Sequence, residues 1–226
     1  MTIAENYHQI LQNVRKCAID AGRDPESVKL IAVSKRHPIE SVREAVEAGA
    51  LELGESRIQE ATDKVRFFPE PVNWHFIGTL QKNKIKYIID VFHLIHSVDS
   101  FELAEALDKH ARRNNTVFNI LMQVNISREE AKHGFTVENA IEAAKQISEI
   151  PHVNLHGIMG MAPYFEDVEG TRPYFQELKS ISDKINQAGI IAPEISMGMS
   201  GDYEIAIQEG STMVRVGTAI FGQRAY

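Results

Sequence analysis

Cysteine is nearly absent from this sequence: Cys17 is the only one among 226 residues. A lone cysteine excludes an internal disulfide and any cysteine-based metal cluster. Long apolar runs are missing too, since no stretch approaches the ~20 residues that cross a bilayer. The first residues also lack the basic-then-apolar order of a signal peptide. These absences predict a protein of the reducing cytoplasm with no place in a membrane.

Positive charge is also scarce, with 24 Lys and Arg against 31 Asp and Glu and a net charge of −7. This balance argues against binding to nucleic acid backbones or anionic membranes. No low-complexity tract, Ser/Gly linker or long charge block marks a domain boundary. With 43% hydrophobic residues, the length fits one domain over residues 1–226, although length alone would also allow two small ones.

Short apolar segments alternate with helical patterns along the whole chain. After a leading helix over residues 4–22, eight segments have the β-branched or aromatic character of strands: Lys29–Val33, Leu51–Gly54, Asn73–Gly78, Val91–Val98, Asn119–Asn125, Asn154–Met159, Glu194–Met197 and Met213–Val216. The patterns between them predict seven helices: Pro38–Ala48, Ser56–Phe67, Gln81–Ile88, Ser100–Arg113, Thr136–Glu149, Val168–Ala188 and Asp202–Glu209.

This alternation predicts an α/β fold. Helix-length connections imply parallel neighbouring strands, and at this length a closed (β/α)8 barrel of the TIM type is the most economical arrangement. A doubly wound open sheet is the alternative. It is disfavoured because no G-x-G-x-x-G follows the first strand and no G-x-x-x-x-G-K-[ST] occurs anywhere. In a barrel, the ends of all eight strands would face one mouth.

Lys35 follows the first predicted strand and is followed by Arg36, His37 and Pro38. This places an amine at the end of the strand where ligands bind in α/β proteins. An ordinary solvated lysine is the alternative. In a buried mouth, however, a neutral amine is favoured, and such an amine attacks carbonyls to form Schiff bases.

Two segments near the C-terminus are typical of a phosphate site. Ser200-Gly201-Asp202 opens the helix after the seventh strand, and Gly217-Thr218 follows the eighth. Barrel phosphate sites are built from these two loops; a helix cap or a tight turn is the alternative for each loop alone. A lysine, a phosphate-binding site and an arginine together indicate that the ligand is a phosphorylated aldehyde.

Arg215 interrupts an apolar strand, where burying an unpaired guanidinium would cost several kcal/mol. It therefore needs an acceptor, either a structural carboxylate or the heterocyclic nitrogen of a cofactor. A cation beside the ring nitrogen of pyridoxal phosphate (PLP) would keep that nitrogen unprotonated and make the ring a weaker electron sink.

Other side chains at predicted strand ends are weaker candidates. Ser196, Met159 and Met199 sit where they could touch a ligand, and His75 could approach the mouth. Lys132, after the fifth strand, could be a second amine, with a solvated loop lysine as the alternative. The nine histidines form no recognisable metal site and are interpreted as packed or surface residues.

Taken together, the chain resembles the YggS/PROSC family of pyridoxal phosphate homeostasis proteins. The resemblance runs from about Leu30 to Gly222 and rests on these motifs: Ala32-Val33-Ser34-Lys35, Gly54-Glu55 with Gln59-Glu60, Trp74-His75-Phe76-Ile77-Gly78 with Leu80-Gln81 and Asn83-Lys84, Gln123-Val124-Asn125, Ser196-Met197-Gly198-Met199-Ser200, and Gly210-Ser211-Thr212-Met213-Val214-Arg215.

The resemblance implies a barrel similar to that of alanine racemase, with PLP bound covalently to Lys35 as an internal aldimine. Arg215 would face the ring nitrogen, and three residues would hold the phosphate: Ser200, Gly217 and Thr218. Family members often have Asn-Tyr after Gly-Glu, whereas this chain has Ser56-Arg57, so any asparagine contact would be shortened to the hydroxyl of Ser56.

We therefore expect a monomeric PLP carrier that holds, buffers or delivers the cofactor, contacts PLP-requiring apoenzymes transiently and turns over no substrate. The first rival is a PLP-dependent racemase or decarboxylase, whose relatives use a second domain for the opposing acid/base group; this chain ends at Tyr226, and we expect no such domain. A barrel aldolase acting on a sugar phosphate is the second rival, but it gives Arg215 no clear role.

Overall fold

A computed structural model describes residues 1–68, 71–129 and 132–223 and shows eight parallel strands closed into a barrel. The strands follow chain order around the barrel, and the last pairs with the first. Their bounds are β1 Lys29–Val33, β2 Glu52–Glu55, β3 Asn73–Phe76, β4 Leu94–Val98, β5 Phe118–Gln123, β6 Val153–Met159, β7 Glu194–Met199 and β8 Met213–Val216. The predicted (β/α)8 barrel is confirmed, and the open sheet is not found.

Helices surround the strands. The α-helices are α1 Ile3–Asp20, α2 Ile39–Glu47, α3 Ile58–Val65, α4 Phe101–Asn114, α5 Ala140–Ser148, α6 Arg172–Gln187, α7 Tyr203–Gln208 and α8 Thr218–Phe221, with 3₁₀ helices at Pro25–Ser27, Lys82–Tyr87 and Val168–Thr171. In the described part of the chain, none of these helices has the length and apolar character needed to span a membrane. Tyr226, where the sequence places the end of the domain, lies outside the described residues.

The extra N-terminal helix α1 is present and covers one side of the barrel. Thr2 caps it, and the Glu5 carboxylate accepts from the Thr2 backbone N–H, which completes a capping box. Its buried face packs with residues of α2, α7 and α8, and the Asn6 side chain donates to the Ile220 carbonyl across 3.0 Å. Helix α1 therefore supports the region after β8, where part of the candidate site lies.

The interior of the barrel is filled partly by apolar side chains. Six of them form one buried cluster: Ile31, Val33, Leu94, Leu121, Met159 and Met213. The outer faces of the strands and the inner faces of the helices form two larger apolar clusters around the barrel. The interior is therefore a packed core, and a ligand can enter only at its mouth.

Two elements differ from the pattern in the sequence. The segment expected to be a helix over Gln81–Ile88 is a 3₁₀ helix over Lys82–Tyr87. Its buried residue Ile85 and the buried Ile88 that follows the helix are three apart, which suits three residues per turn. Helix α8, which the sequence pattern missed, is a single turn too short to show a periodicity.

Candidate functional site

Lys35 reaches the mouth because side chains on β1 alternate between the two faces of the barrel wall. Ile31 and Val33 point into the barrel interior, and Lys35 continues the same alternation just past the strand. It lies at the edge of a cavity of about 290 Å³, together with nine other residues: Val33, Ile77, Met161, Met199, Ser200, Gly201, Arg215, Gly217 and Thr218. Five of the predicted site residues, and Met199 of the weaker candidates, thus converge on one cavity.

The turn that carries Lys35 is held by a buried ion cluster. Lys64 of α3 is 4% exposed, and its Nζ donates to the Ser34 carbonyl at 2.8 Å and to Glu55 Oε1 at 2.7 Å. The Ser34 hydroxyl also donates to Glu55 Oε1, at 2.7 Å. The residue before Lys35 is thus fixed on both its backbone and its side chain.

The residue after Lys35 is fixed as well. Arg36 has a φ of 64°, a left-handed conformation that costs a non-glycine residue roughly 1–2 kcal/mol. Its backbone N–H donates to Glu60 Oε1, which also accepts from Lys64 Nζ at 2.8 Å. The ion cluster of Glu55, Glu60 and Lys64 therefore holds a strained turn in the shape that presents Lys35 to the cavity.

Glu55 is the most deeply buried member of this cluster. Its side chain is fully buried, and Oε2 has no hydrogen-bond partner within residues 1–68, 71–129 and 132–223. Burial raises the pKa of Glu55, while the charge of Lys64 and the hydrogen bonds that Glu55 accepts act in the opposite direction. Lys64 therefore favours the ionised form of Glu55.

The loop after β7 brings a hydroxyl to the cavity. Gly198 has a φ of 93°, and a Cβ there would lie 2.6 Å from that of Ala206, so only glycine fits. Asp202 accepts from the Met199 backbone, and Ser200 Oγ accepts from the Gly217 N–H at 3.2 Å. The Gly217 N–H is therefore engaged inside the protein, and the hydroxyl hydrogen of Ser200 remains to donate to a ligand.

Arg215 forms the floor of the cavity. It is 6% exposed, and its guanidinium donates to Ser196 Oγ and to the Gly160 carbonyl. Burial lowers the pKa of Arg215 to about 10, and Asp202 acts weakly in the opposite direction. In the part of the chain that the structure describes, no carboxylate lies within ion-pair distance of this guanidinium.

The remaining candidates lie elsewhere. The lining of the cavity does not include Ser56, His75, Met159 or Ser196: His75, Met159 and Ser196 are buried within the barrel, and Ser56 is half-buried just after β2. Lys132 lines a neighbouring cavity of about 690 Å³ and is paired with Glu129 at 2.6 Å. The described residues contain no group of three or more His, Cys, Asp or Glu that could hold a metal ion.

Sequence reasoning missed two residues that matter for this site. Met161 lines the cavity; its position two residues after the buried Met159 could have indicated this, because alternate residues share a face. Lys64 supports the turn before Lys35 from α3. No local pattern marks it, because its buried partners Glu55 and Ser34 are distant in sequence.

Comparison with known proteins shows the family of this chain. A sequence model described as "Alanine racemase, N-terminal domain" matches residues 6–225. A "Pyridoxal phosphate homeostasis protein" of Aquifex aeolicus is 40% identical over the full length of both chains. The chain belongs to this family of pyridoxal phosphate homeostasis proteins. The Escherichia coli K12 member of the same name is 38% identical and is covered over 97% of its length, as is 99% of this chain.

Solved structures support the same assignment. PipY of Synechococcus elongatus, a structure "with PLP bound", has a TM-score of 0.82 and 34% identity, covering 98% of this chain and all of that one. An alanine racemase of Clostridium difficile 630 has a TM-score of 0.76 but only 18% identity, covering 98% of this chain and 57% of the racemase. The latter likeness concerns the fold alone. Within the pyridoxal phosphate homeostasis family, the mouth cavity with Lys35 and Arg215 is the candidate cofactor site.

Proposed function

We propose that this chain binds PLP in the mouth cavity, covalently on Lys35, and holds, buffers or delivers it without turning over a substrate. Full-length similarity to named pyridoxal phosphate homeostasis proteins and to PipY with PLP bound supports this proposal. The observation that carries it is Arg215, a buried cation in the cavity that lacks a carboxylate partner among the described residues. A ring nitrogen would supply the acceptor that a buried guanidinium requires.

The cavity fits the cofactor in size and in chemistry. Its volume of about 290 Å³ is at the lower end of ligand pockets, which run from roughly 300 to 1,000 Å³. An amine, a guanidinium and two hydroxyls line it, and the apolar side chains of Ile77 and Met161 complete the wall. PLP supplies an aldehyde that condenses with an amine and releases water.

Each polar residue then has one task. Lys35 provides the amine, held at the mouth by the strained turn after β1. Ser200 and Thr218 donate hydroxyl hydrogen bonds to the phosphate, and Gly217 lets Thr218 approach by packing its backbone against Val33, 3.3 Å from where a Cβ would sit. Arg215 faces the ring nitrogen and disfavours a proton there.

The same lining supports a carrier over the rival functions. Among the described residues that line the cavity, the titratable side chains are Lys35 and Arg215, and this lining includes no carboxylate or imidazole that could act as a second acid/base group on a bound amino acid. A sugar phosphate would give the Arg215 guanidinium no ring nitrogen to face. We further propose that the protein is a cytoplasmic monomer that contacts PLP-requiring apoenzymes transiently and delivers the cofactor to them.

The direct test is titration of the purified wild-type protein with PLP. We expect one equivalent to bind, to give a visible absorption band and to become irreversibly attached to Lys35 on borohydride reduction. Pyridoxal should give the same band at lower affinity. Binding without a band, or attachment spread over surface lysines, would refute the proposed site.

The phosphate contacts can be tested by comparing PLP with pyridoxal. Ser200→Ala and Thr218→Val each remove one hydroxyl donor and should weaken PLP binding by about 1–3 kcal/mol. The affinity for pyridoxal should change little, because it has no phosphate. Thr62→Val is a matched control, since the Thr62 hydroxyl donates to the Gln59 carbonyl on α3 and Thr62 does not line the cavity. Equal weakening of both ligands would show that these hydroxyls do not touch the phosphate.

A further prediction is that the protein does not catalyse reactions of amino acids. Arg215 keeps the ring nitrogen unprotonated and so limits electron withdrawal from an attached amino acid. The cavity lining within the described residues offers no opposing base. Exchange of the α-hydrogen of common amino acids for solvent deuterium, followed by NMR with saturating PLP, should stay far below ~1 per second. Exchange or racemisation at that rate would make this protein an enzyme.

A further inference from the structure

Four side chains form a continuous hydrogen-bond chain through the barrel interior to Arg215. Glu52 Oε2 lies 2.6 Å from His75 Nε2, and His75 Nδ1 lies 2.9 Å from His96 Nε2. His96 Nδ1 in turn lies 2.9 Å from Ser196 Oγ, which accepts from the Arg215 guanidinium. These four residues, Glu52, His75, His96 and Ser196, are called the interior chain below. They come from four different strands.

The position of every proton in the interior chain follows from its two ends. Ser196 Oγ accepts from Arg215; because both rings are neutral and the Glu52 carboxylate can only accept, Ser196 donates its own hydrogen to His96 Nδ1. His96 must then carry its hydrogen on Nε2 and donate it to His75 Nδ1. His75 carries its hydrogen on Nε2 and donates it to the Glu52 carboxylate. In every hydrogen bond of the chain, the donor therefore lies on the side of the Arg215 cation and the acceptor on the side of the Glu52 anion.

Burial keeps the two imidazoles neutral, as this pattern requires. Desolvation lowers the pKa of His75, opposed by Glu52, and desolvation also lowers that of His96 well below its ordinary value. The charged or titratable groups that face the rings are Glu52, Lys29, His93 and Arg215. For Glu52, burial opposes ionisation, but the hydrogen bonds from His75 and Asn73 more than offset it and lower its pKa.

The ends of the interior chain differ in solvent access. The Glu52 side chain is 24% exposed and lies at the start of β2, at the face of the barrel opposite the mouth. His96 and Ser196 are fully buried. Aligned hydrogen bonds in a low-dielectric interior polarise one another. The anionic end can therefore stabilise the charge of Arg215, which lacks a carboxylate partner of its own among the described residues.

We infer that the interior chain consists of positioning residues for Arg215: it fixes the direction of the guanidinium and connects its charge to Glu52 at the opposite end of the barrel. This inference rests on the proposed function in assigning Arg215 to the ring nitrogen of PLP. The proton pattern of the chain itself is independent of PLP and can be measured without it.

The first experiment uses PLP-free wild-type protein labelled with ¹⁵N. Long-range ¹H–¹⁵N correlation spectra at about pH 8 should show both His75 and His96 as neutral Nε2–H tautomers, because burial lowers the pKa of each ring. A Nδ1–H tautomer or a charged ring at either buried position would overturn the inference.

The second experiment breaks the chain beside Arg215. Ser196→Ala removes the acceptor of Arg215 and the donor to His96. Ser211→Ala is the matched control, since Ser211 is equally buried and its hydroxyl bonds to carbonyls of the same two strands, β7 and β8, outside the chain. With ¹⁵N-labelled PLP bound, Ser196→Ala should shift the ring-nitrogen signal towards that of the protonated ring. PLP affinity should fall about 10-fold, whereas Ser211→Ala should keep the wild-type signal.

A third variant separates charge from geometry. Glu52→Gln keeps an oxygen that accepts from His75 but removes the anion, so we expect a smaller shift of the same ring-nitrogen signal and unchanged histidine tautomers. Wild-type ring-nitrogen signals in both Ser196→Ala and Glu52→Gln would overturn the inference while leaving the proposed function intact. Failure of wild-type protein to bind PLP would instead refute the proposed function, and the histidine spectra would still test the chain.

Discussion

Lys35→Ala is expected to abolish covalent attachment of PLP while leaving the fold unchanged. Lys35 is half-exposed and follows β1 rather than lying within it, so its side chain contributes little to the core. Without an amine at the cavity, the aldehyde has no partner among the lining residues of the described chain. Borohydride reduction followed by peptide mass spectrometry should find no specifically labelled lysine, and circular dichroism should match the wild type.

Lys132→Ala is the matched control for this variant. Lys132 lies in the neighbouring cavity and pairs with Glu129 at 2.6 Å, and it is not among the residues that line the cavity at Lys35. The control should retain full labelling at Lys35. If Lys35→Ala is labelled at full occupancy on Lys132, the amine assignment passes to that residue.

Lys64→Met is expected to destabilise the protein by about 3–5 kcal/mol, the cost of leaving a buried partner charge uncompensated. The side chains of Lys64 and Glu55 are 5% and 0% exposed, and Lys64 Nζ lies 2.7 Å from Glu55 Oε1. Solvent therefore cannot replace the lost cation. The free energy of unfolding from urea titration measures the effect. Lys145→Met is the control: Lys145 is half-exposed and 3.9 Å from Glu142, and its loss should cost less than about 0.5 kcal/mol.

The destabilisation by Lys64→Met should depend on pH. Burial raises the pKa of Glu55 and Lys64 lowers it. Without Lys64, the pKa of Glu55 in the folded protein should therefore be still higher. A carboxyl whose folded pKa exceeds its unfolded value stabilises the fold below the unfolded pKa, and that contribution is lost as pH rises. The loss of stability of the variant relative to the wild type should therefore grow as the pH rises from about 4.3 towards neutral. A deficit independent of pH would exclude uncompensated Glu55 as its cause.

The double variant Lys64→Met with Glu55→Leu tests the same cause structurally. Removing both charges should recover part of the lost stability, because a buried pair can be replaced by apolar groups at little cost. PLP binding should remain weakened, since the turn at Lys35 and Arg36 loses the support of Lys64. Recovery of both stability and binding would show that the ion cluster does not position Lys35.

The amino-acid sequence by itself determined the type and order of the elements, because hydrophobic periodicity is a local property. It also determined that Lys35, Ser200 and Arg215 would meet, since strand ends in a closed parallel barrel share one mouth. The cavity at Lys35 confirms that convergence. The sequence alone did not determine the helix bounds or the 3₁₀ character of Lys82–Tyr87, because these depend on which residues the neighbouring elements bury.

Only the tertiary structure decided how the buried polar residues pair. His75 and His96 were interpreted as packed or surface histidines, and both are indeed buried, but the sequence could not show that they bond to each other. His96 and Ser196 are 100 residues apart in the chain, and Glu55 and Ser34 are 21 apart. Such partners are set by the order and register of strands around the barrel. No pattern within one strand or helix records that register, because it arises from packing the whole chain.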